Sequence, residues 1–118
     1  MKLPHGKLLV FAKEVRVRTE ESIEVYCVFP MLPSLAMFME ASAQCSAGFD
    51  VDGNIKLGFL TMGKDIRLLQ DIKEKEYLFI LQKEALVAAY SQYSFEAVSL
   101  STKEKVVTGS FTVMVNNR

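Results

Sequence analysis

The chain is short of histidine, cysteine and net charge, and each shortage closes a route. Its single histidine is His5, and its two cysteines, Cys27 and Cys45, lie 18 residues apart in a chain of 118. They form no CxxC pair and no Cys/His spacing of the kind that holds zinc, so no metal is expected. Two cysteines are also too few for a disulfide-stapled secreted scaffold, and both are expected to be buried, reduced thiols in a cytoplasmic protein. Fourteen basic residues balance fourteen acidic ones. A domain that grips phosphates carries a basic surplus, so nucleic acid is not an expected partner. No uncharged run reaches the length of a membrane span, and none is expected. The apolar stretch Leu8 to Ala12 is too short for a signal peptide. No cofactor is expected.

Half of the residues are hydrophobic and mean hydropathy is +0.17. Disorder is excluded, because it needs low hydrophobicity and high net charge. The length suits a single domain over 1–118. A neutral, apolar-rich chain of this size keeps a small monomer poorly soluble. Some apolar surface is therefore expected to be covered by another subunit or to line a ligand cavity.

Alternation marks the strands. Leu8 to Arg18 reads as one strand and Ile23 to Phe29 as a second, joined at Thr19–Ser22 into a hairpin. Later strands are expected at Leu57–Leu69, Tyr77–Val87, Tyr90–Ser101 and Val106–Val115, joined by charged turns as an antiparallel meander. Gly58 and Gly63 are bulge or close-approach points within the first of these. The turn Asp50–Asn54 resembles the start of a calcium loop, but its glycine stands fourth and Thr61 holds the twelfth position, so calcium binding is not expected.

The unusual stretch is Val25 to Phe49, where Glu40 is the only charge in 25 residues. At the average charge density of the chain, about six would be expected there. Pro33 suits a helix start, a helix runs on from Ser34, and Gly48 suits its stop. The helix is apolar or small on every side, which predicts burial all round. A strongly curved antiparallel sheet wrapped round one central helix would bury it on most sides, and a second copy would cover the remainder. This is the α+β hotdog fold, with five to six strands, as a dimer.

The motifs support that expectation. Leu3-Pro4-His5, Val28-Phe29-Pro30, Leu32-Pro33-Ser34, Glu40-Ala41-Ser42-Ala43-Gln44 and Gly58-Phe59-Leu60 with Arg67 resemble the corresponding elements of hotdog-fold (3R)-hydroxyacyl-acyl carrier protein dehydratases. The resemblance spans nearly the whole chain. Those dehydratases use a histidine and a carboxylate from opposite subunits. The carboxylate carries over to Glu40. The histidine does not, because Val28 stands in its place before Phe29-Pro30. Dehydration needs a base at one atom and an acid at another, and valine supplies neither.

The resemblance therefore implies a protein of fatty-acid or related acyl metabolism that binds acyl thioesters, of CoA or of an acyl carrier protein, without dehydratase activity. Partners would be a second copy, as a homodimer or higher even oligomer, and the thioester itself. The alternatives are a thioesterase using Glu40 or a non-catalytic regulatory dimer. Glu40 is the candidate catalytic residue, with Gln44 one helical turn later placed to hydrogen-bond it. Phe29, Pro33, Ser34, Phe59, Leu60 and Met62 are the candidate acyl-binding residues. His5 and Tyr26 are the residues that could occupy the lost imidazole's role, and Lys64 and Arg67 are the nearest cations for a carrier-protein dock.

Overall fold

The computed structural model describes residues 11–46, 58–87 and 90–115, with the backbone alone described at 58–62, 85–87 and 114–115. The elements follow the order β1 (Ala12–Arg18), β2 (Ser22–Val28), α1 (Leu35–Ser46), β3 (Gly58–Leu68), β4 (Glu76–Val87), β5 (Tyr90–Ser99) and β6 (Lys105–Val115). Each lies where alternation or helix composition placed it, within a few residues at the ends. The calcium-like turn and Gly48 fall outside the described residues, as do His5 and the first part of the expected first strand.

One antiparallel sheet holds all six strands in the order β1-β2-β4-β5-β6-β3. The hairpin β1-β2 forms at the polar turn, where the Thr19 hydroxyl accepts from the Ser22 amide at 3.0 Å. The four later strands are not a simple meander. β4, β5 and β6 follow one another, but β3 pairs with β6 at the far edge, and β4 pairs with β2. The chain thus crosses from one edge to the interior of the sheet between β3 and β4.

Helix α1 packs against all six strands. Flat, six strands spaced ~4.8 Å apart would span roughly 24 Å, about twice the width of a helix with its side chains. The sheet must therefore curl around α1. Alternation decides which side chains meet it: Ile23, Val25 and Cys27 of β2 are at most 1% exposed, and Tyr77, Phe79 and Leu81 of β4 match them. On α1, Phe38, Ala41, Ser42 and Cys45 are buried, the i, i+3, i+4, i+7 set of a single face.

Aromatic rings fill the middle. Phe29 lies 4.8 Å from Phe11, 5.4 Å from Phe38 and 6.0 Å from Tyr77 between ring centres, and Phe79 stacks on Phe95. Two glycines let this core close. A Cβ at Gly63 would lie 2.9 Å from Met39 Cε, and one at Gly109 would lie 2.4 Å from Ile66 Cδ1 and 3.0 Å from Phe95 Cε1. Gly63 was legible as a close-approach point. Ile66 reaches Gly109 because β3 is irregular there: its register slips between Lys64 and Arg67, and Asp65 takes a positive φ of 54°.

Candidate functional site around Glu40

The site begins at the entrance to α1. Ser34 caps the helix: its hydroxyl accepts from the Met37 amide at 3.2 Å and its carbonyl from the Phe38 amide at 3.1 Å. Pro33 therefore stands just before the first helical turn, and its side chain is buried. Before it, Met31 and Leu32 are more than half exposed, and Leu35 follows at 39%. Apolar side chains thus crowd the mouth of the helix on the solvent side.

Burial of α1 is one-sided in the single chain, not complete. Ala36 and Glu40 are exposed, opposite the face made by Phe38, Ala41, Ser42 and Cys45, and Leu35 is exposed in the first turn. The reason is geometric. The only helix of the described fold has one concave sheet to pack against, and small residues on its other side demand no cover within the chain. Glu40 is consequently a solvent-facing carboxylate set in an otherwise apolar and small-residue helix surface.

Gln44 is held on its acceptor side by the start of β1. Its Oε1 accepts from the backbone amides of Phe11 at 2.8 Å and Ala12 at 3.3 Å. Phe11 and Ala12 are 1% and 3% exposed, so these amides have no access to bulk water and need that acceptor. Gln44 is the tie between α1 and the start of β1.

The other candidate residues divide. Ser34 and Pro33 adjoin the apolar mouth. Phe29 is in the packed aromatic centre, 1% exposed, against Phe11, Phe38, Tyr77 and Phe79. Phe59, Leu60 and Met62 lie on β3 opposite Met114, Val113 and Thr112 of β6, with their side chains outside the description. Lys64 and Arg67 are exposed on the same edge strand. Tyr26 is not near the helix. It alternates with the inward Val25 and Cys27, donates to Glu76 at 2.5 Å on the outer face, and lies under the Arg16 guanidinium at 4.7 Å. The bond to Glu76 pushes its hydroxyl pKa up. Tyr26 shares this outer face with Val28, two residues on, opposite the inward Val25 and Cys27.

A cleft of about 180 Å³ lies elsewhere, between the segment leading into β4 and the β5–β6 turn. Glu74 occupies it. Ser101 donates to its carboxylate at 2.5 Å and Ser99 at 2.5 Å, and these bonds hold the Glu74 carboxyl below its ordinary range. Sequence reasoning missed this cluster, which joins residues 25 and 27 positions apart.

No family model matches the chain, and neither does any curated protein. Solved structures do. A dehydratase heterocomplex, ApeI:P from Xenorhabdus doucetiae, superposes with a TM-score of 0.76 at 15% identity, covering 98% of this chain and 89% of that one. The chain has the hotdog fold. Thioesterase HI1161 from Haemophilus influenzae shares it at a TM-score of 0.65 and 11% identity, over 88% of this chain and 78% of that one. A thioesterase family protein from Silicibacter pomeroyi does so at 0.64 and 10%, over 86% and 82%. The hotdog architecture is thus common to this chain, a dehydratase assembly and thioester hydrolases. At these identities the likeness is one of fold.

Proposed function

We propose that the chain binds acyl thioesters, of CoA or of an acyl carrier protein, at the outward face of α1, and that alone it does not dehydrate hydroxyacyl groups. One observation carries this reading: Glu40 is a single exposed carboxylate on an apolar helix face, and the exposed Met31, Leu32 and Leu35 stand at the entrance to the same helix. A water-exposed apolar mouth with one polar group that can orient a ligand is the usual composition of a small-molecule site. The acyl chain lies along this mouth and the backbone of β3 at Phe59, Leu60 and Met62, with Ser34 at its head. A second copy covers the same face, so the ligand sits between subunits of a dimer. Val28 offers no proton acceptor or donor, which is why dehydration is not part of the reading.

Native mass spectrometry with a medium- or long-chain acyl-CoA tests it. The dimer retains the ligand, and the ligand raises the melting temperature, since a molecule bound only by the folded state stabilises it. Hydration of a crotonyl thioester stays at background. Absence of binding by any acyl-CoA or acyl carrier protein refutes the reading.

Two neighbours are named thioesterases, and this favours a second reading in which Glu40 activates water on the bound thioester. Thiol release measured for the wild type and for Glu40→Gln separates the two: hydrolysis that Glu40→Gln abolishes supports the second. The neighbour solved as a heterocomplex also makes a different hotdog chain an alternative to the second copy. Such a partner would supply the acid–base group that Val28 lacks, and hydration activity appearing only on mixing would identify it.

A further inference from the structure

Cys27 and Cys45 take no part in the site described above, yet the fold brings them together. Cys27 points inward from β2 and Cys45 inward from the last turn of α1. Both are wholly buried, and their sulfurs are 3.4 Å apart. A disulfide bond is about 2.05 Å long, so the gap to close is roughly 1.4 Å. Because these are the chain's two cysteines, no other internal pairing competes.

We infer that Cys27 and Cys45 form a redox pair that closes into an intrachain disulfide and staples α1 to β2. The step is a two-electron oxidation. Each thiol gives up its hydrogen, one S–S bond forms, and the oxidant takes both hydrogens; hydrogen peroxide becomes two molecules of water. The ring so closed runs from residue 27 to residue 45 and contains Phe29, the exposed Met31–Leu35 mouth and Glu40. Oxidation would fix the segment bearing the candidate site against the sheet. It would do so whether or not that segment binds thioesters.

Burial sets the rate. The thiolate is the reacting form, and burial, together with the contact from Cys27, pushes the Cys45 thiol well up. An oxidant reaches the pair only when the end of α1 lifts from the sheet. Reaction in the native protein is therefore slow, and mild denaturant speeds it without unfolding the chain.

The probe is diamide, whose N=N bond accepts the two hydrogens as a hydrazine. The full chain is treated in buffer and in urea below its unfolding transition, quenched by alkylation in denaturant, and analysed by intact mass and peptide mapping. The expected product is lighter by two hydrogens, carries no alkyl group, and yields a linked Cys27–Cys45 peptide that dithiothreitol separates. Urea accelerates its appearance. The linked form melts on the order of 10–15 °C higher than the reduced form, as a closed loop of this length implies. Cys45→Ala and Cys27→Ala give no internal link. Recovery of both cysteines fully alkylated after treatment in urea overturns the inference, as does a product linked only between chains. Peptide mapping of the wild type decides the question even if neither variant folds.

Discussion

Replacing Gln44 with methionine cuts the tie between α1 and the start of β1. The substitution keeps length and volume but removes the oxygen that accepts from Phe11 and Ala12. Those two residues are 1% and 3% exposed, so water cannot replace the acceptor without local opening. Leaving one buried amide unsatisfied costs about 1–3 kcal/mol. The 2.8 Å bond should account for most of this, and the 3.3 Å bond adds a smaller share. Methionine recovers part of the loss as apolar burial, so the net expectation is about 2 kcal/mol. With a urea slope of roughly 1–3 kcal/mol/M for a small protein, the midpoint falls by about 1 M at unchanged slope. Gln44→Glu retains an acceptor and recovers much of the loss at neutral pH. Hydrogen exchange adds a local readout: the Phe11 and Ala12 amides lose protection in Gln44→Met before the rest of β1 does. A midpoint within 0.2 M of wild type would refute the reasoning, as would lost ligand binding at unchanged stability, because either would mean that Gln44 serves the site and not the tie to β1.

Four other outcomes follow from the same geometry. Glu40→Gln leaves the urea midpoint within error of wild type, since an exposed surface carboxylate away from ion pairs contributes within about 0.5 kcal/mol. Ser34→Ala removes the helix cap and costs about 1 kcal/mol, visible as a lower melting temperature, while Ser34→Asp retains it. Gly109→Ala drives a methyl against Ile66 and Phe95 and costs about 1–3 kcal/mol by overpacking, whereas an alanine at an exposed strand position does not. Glu74 has a folded pKa below its unfolded one because Ser101 and Ser99 donate to it, so its contribution is present above the ordinary carboxylate range and is lost as pH falls through the folded value. Urea melts of wild type and Glu74→Gln taken from pH 6 down to pH 3 should therefore converge at the acid end.

The strands were legible because one face of each is buried. Ile23, Val25, Cys27 and Phe29 alternate in the sequence and are all at most 1% exposed. The helix start was legible from Pro33 and Ser34, and the cap at Ser34 accounts for it. The connection of β3 to the far edge was not legible, because pairing between segments some 50 residues apart leaves no local pattern: Gly58 meets Val115. The orientation of α1 was blurred for a different reason. Alanine, serine and methionine surround it, so an apolar face and a merely small face look alike in composition. The buried set Phe38, Ala41, Ser42 and Cys45 is periodic but no more apolar than the rest of the helix, and Glu40 falls on the opposite side. Gln44 was one turn from Glu40 in sequence, and its true partners lie more than thirty residues earlier. Side chains that bond across such distances declare their role only in the fold.

The central claim is that the outward face of α1, with Glu40 and the Met31–Leu35 mouth, receives an acyl thioester. An amide NMR titration of the labelled chain with a non-hydrolysable medium-chain acyl-CoA analogue tests it most directly. Saturable shifts are expected at residues 31–40 and along β3, with the Glu74 cleft unmoved. Shifts centred on Glu74, Ser99 and Ser101, or no saturable shift at any ligand concentration, would contradict it.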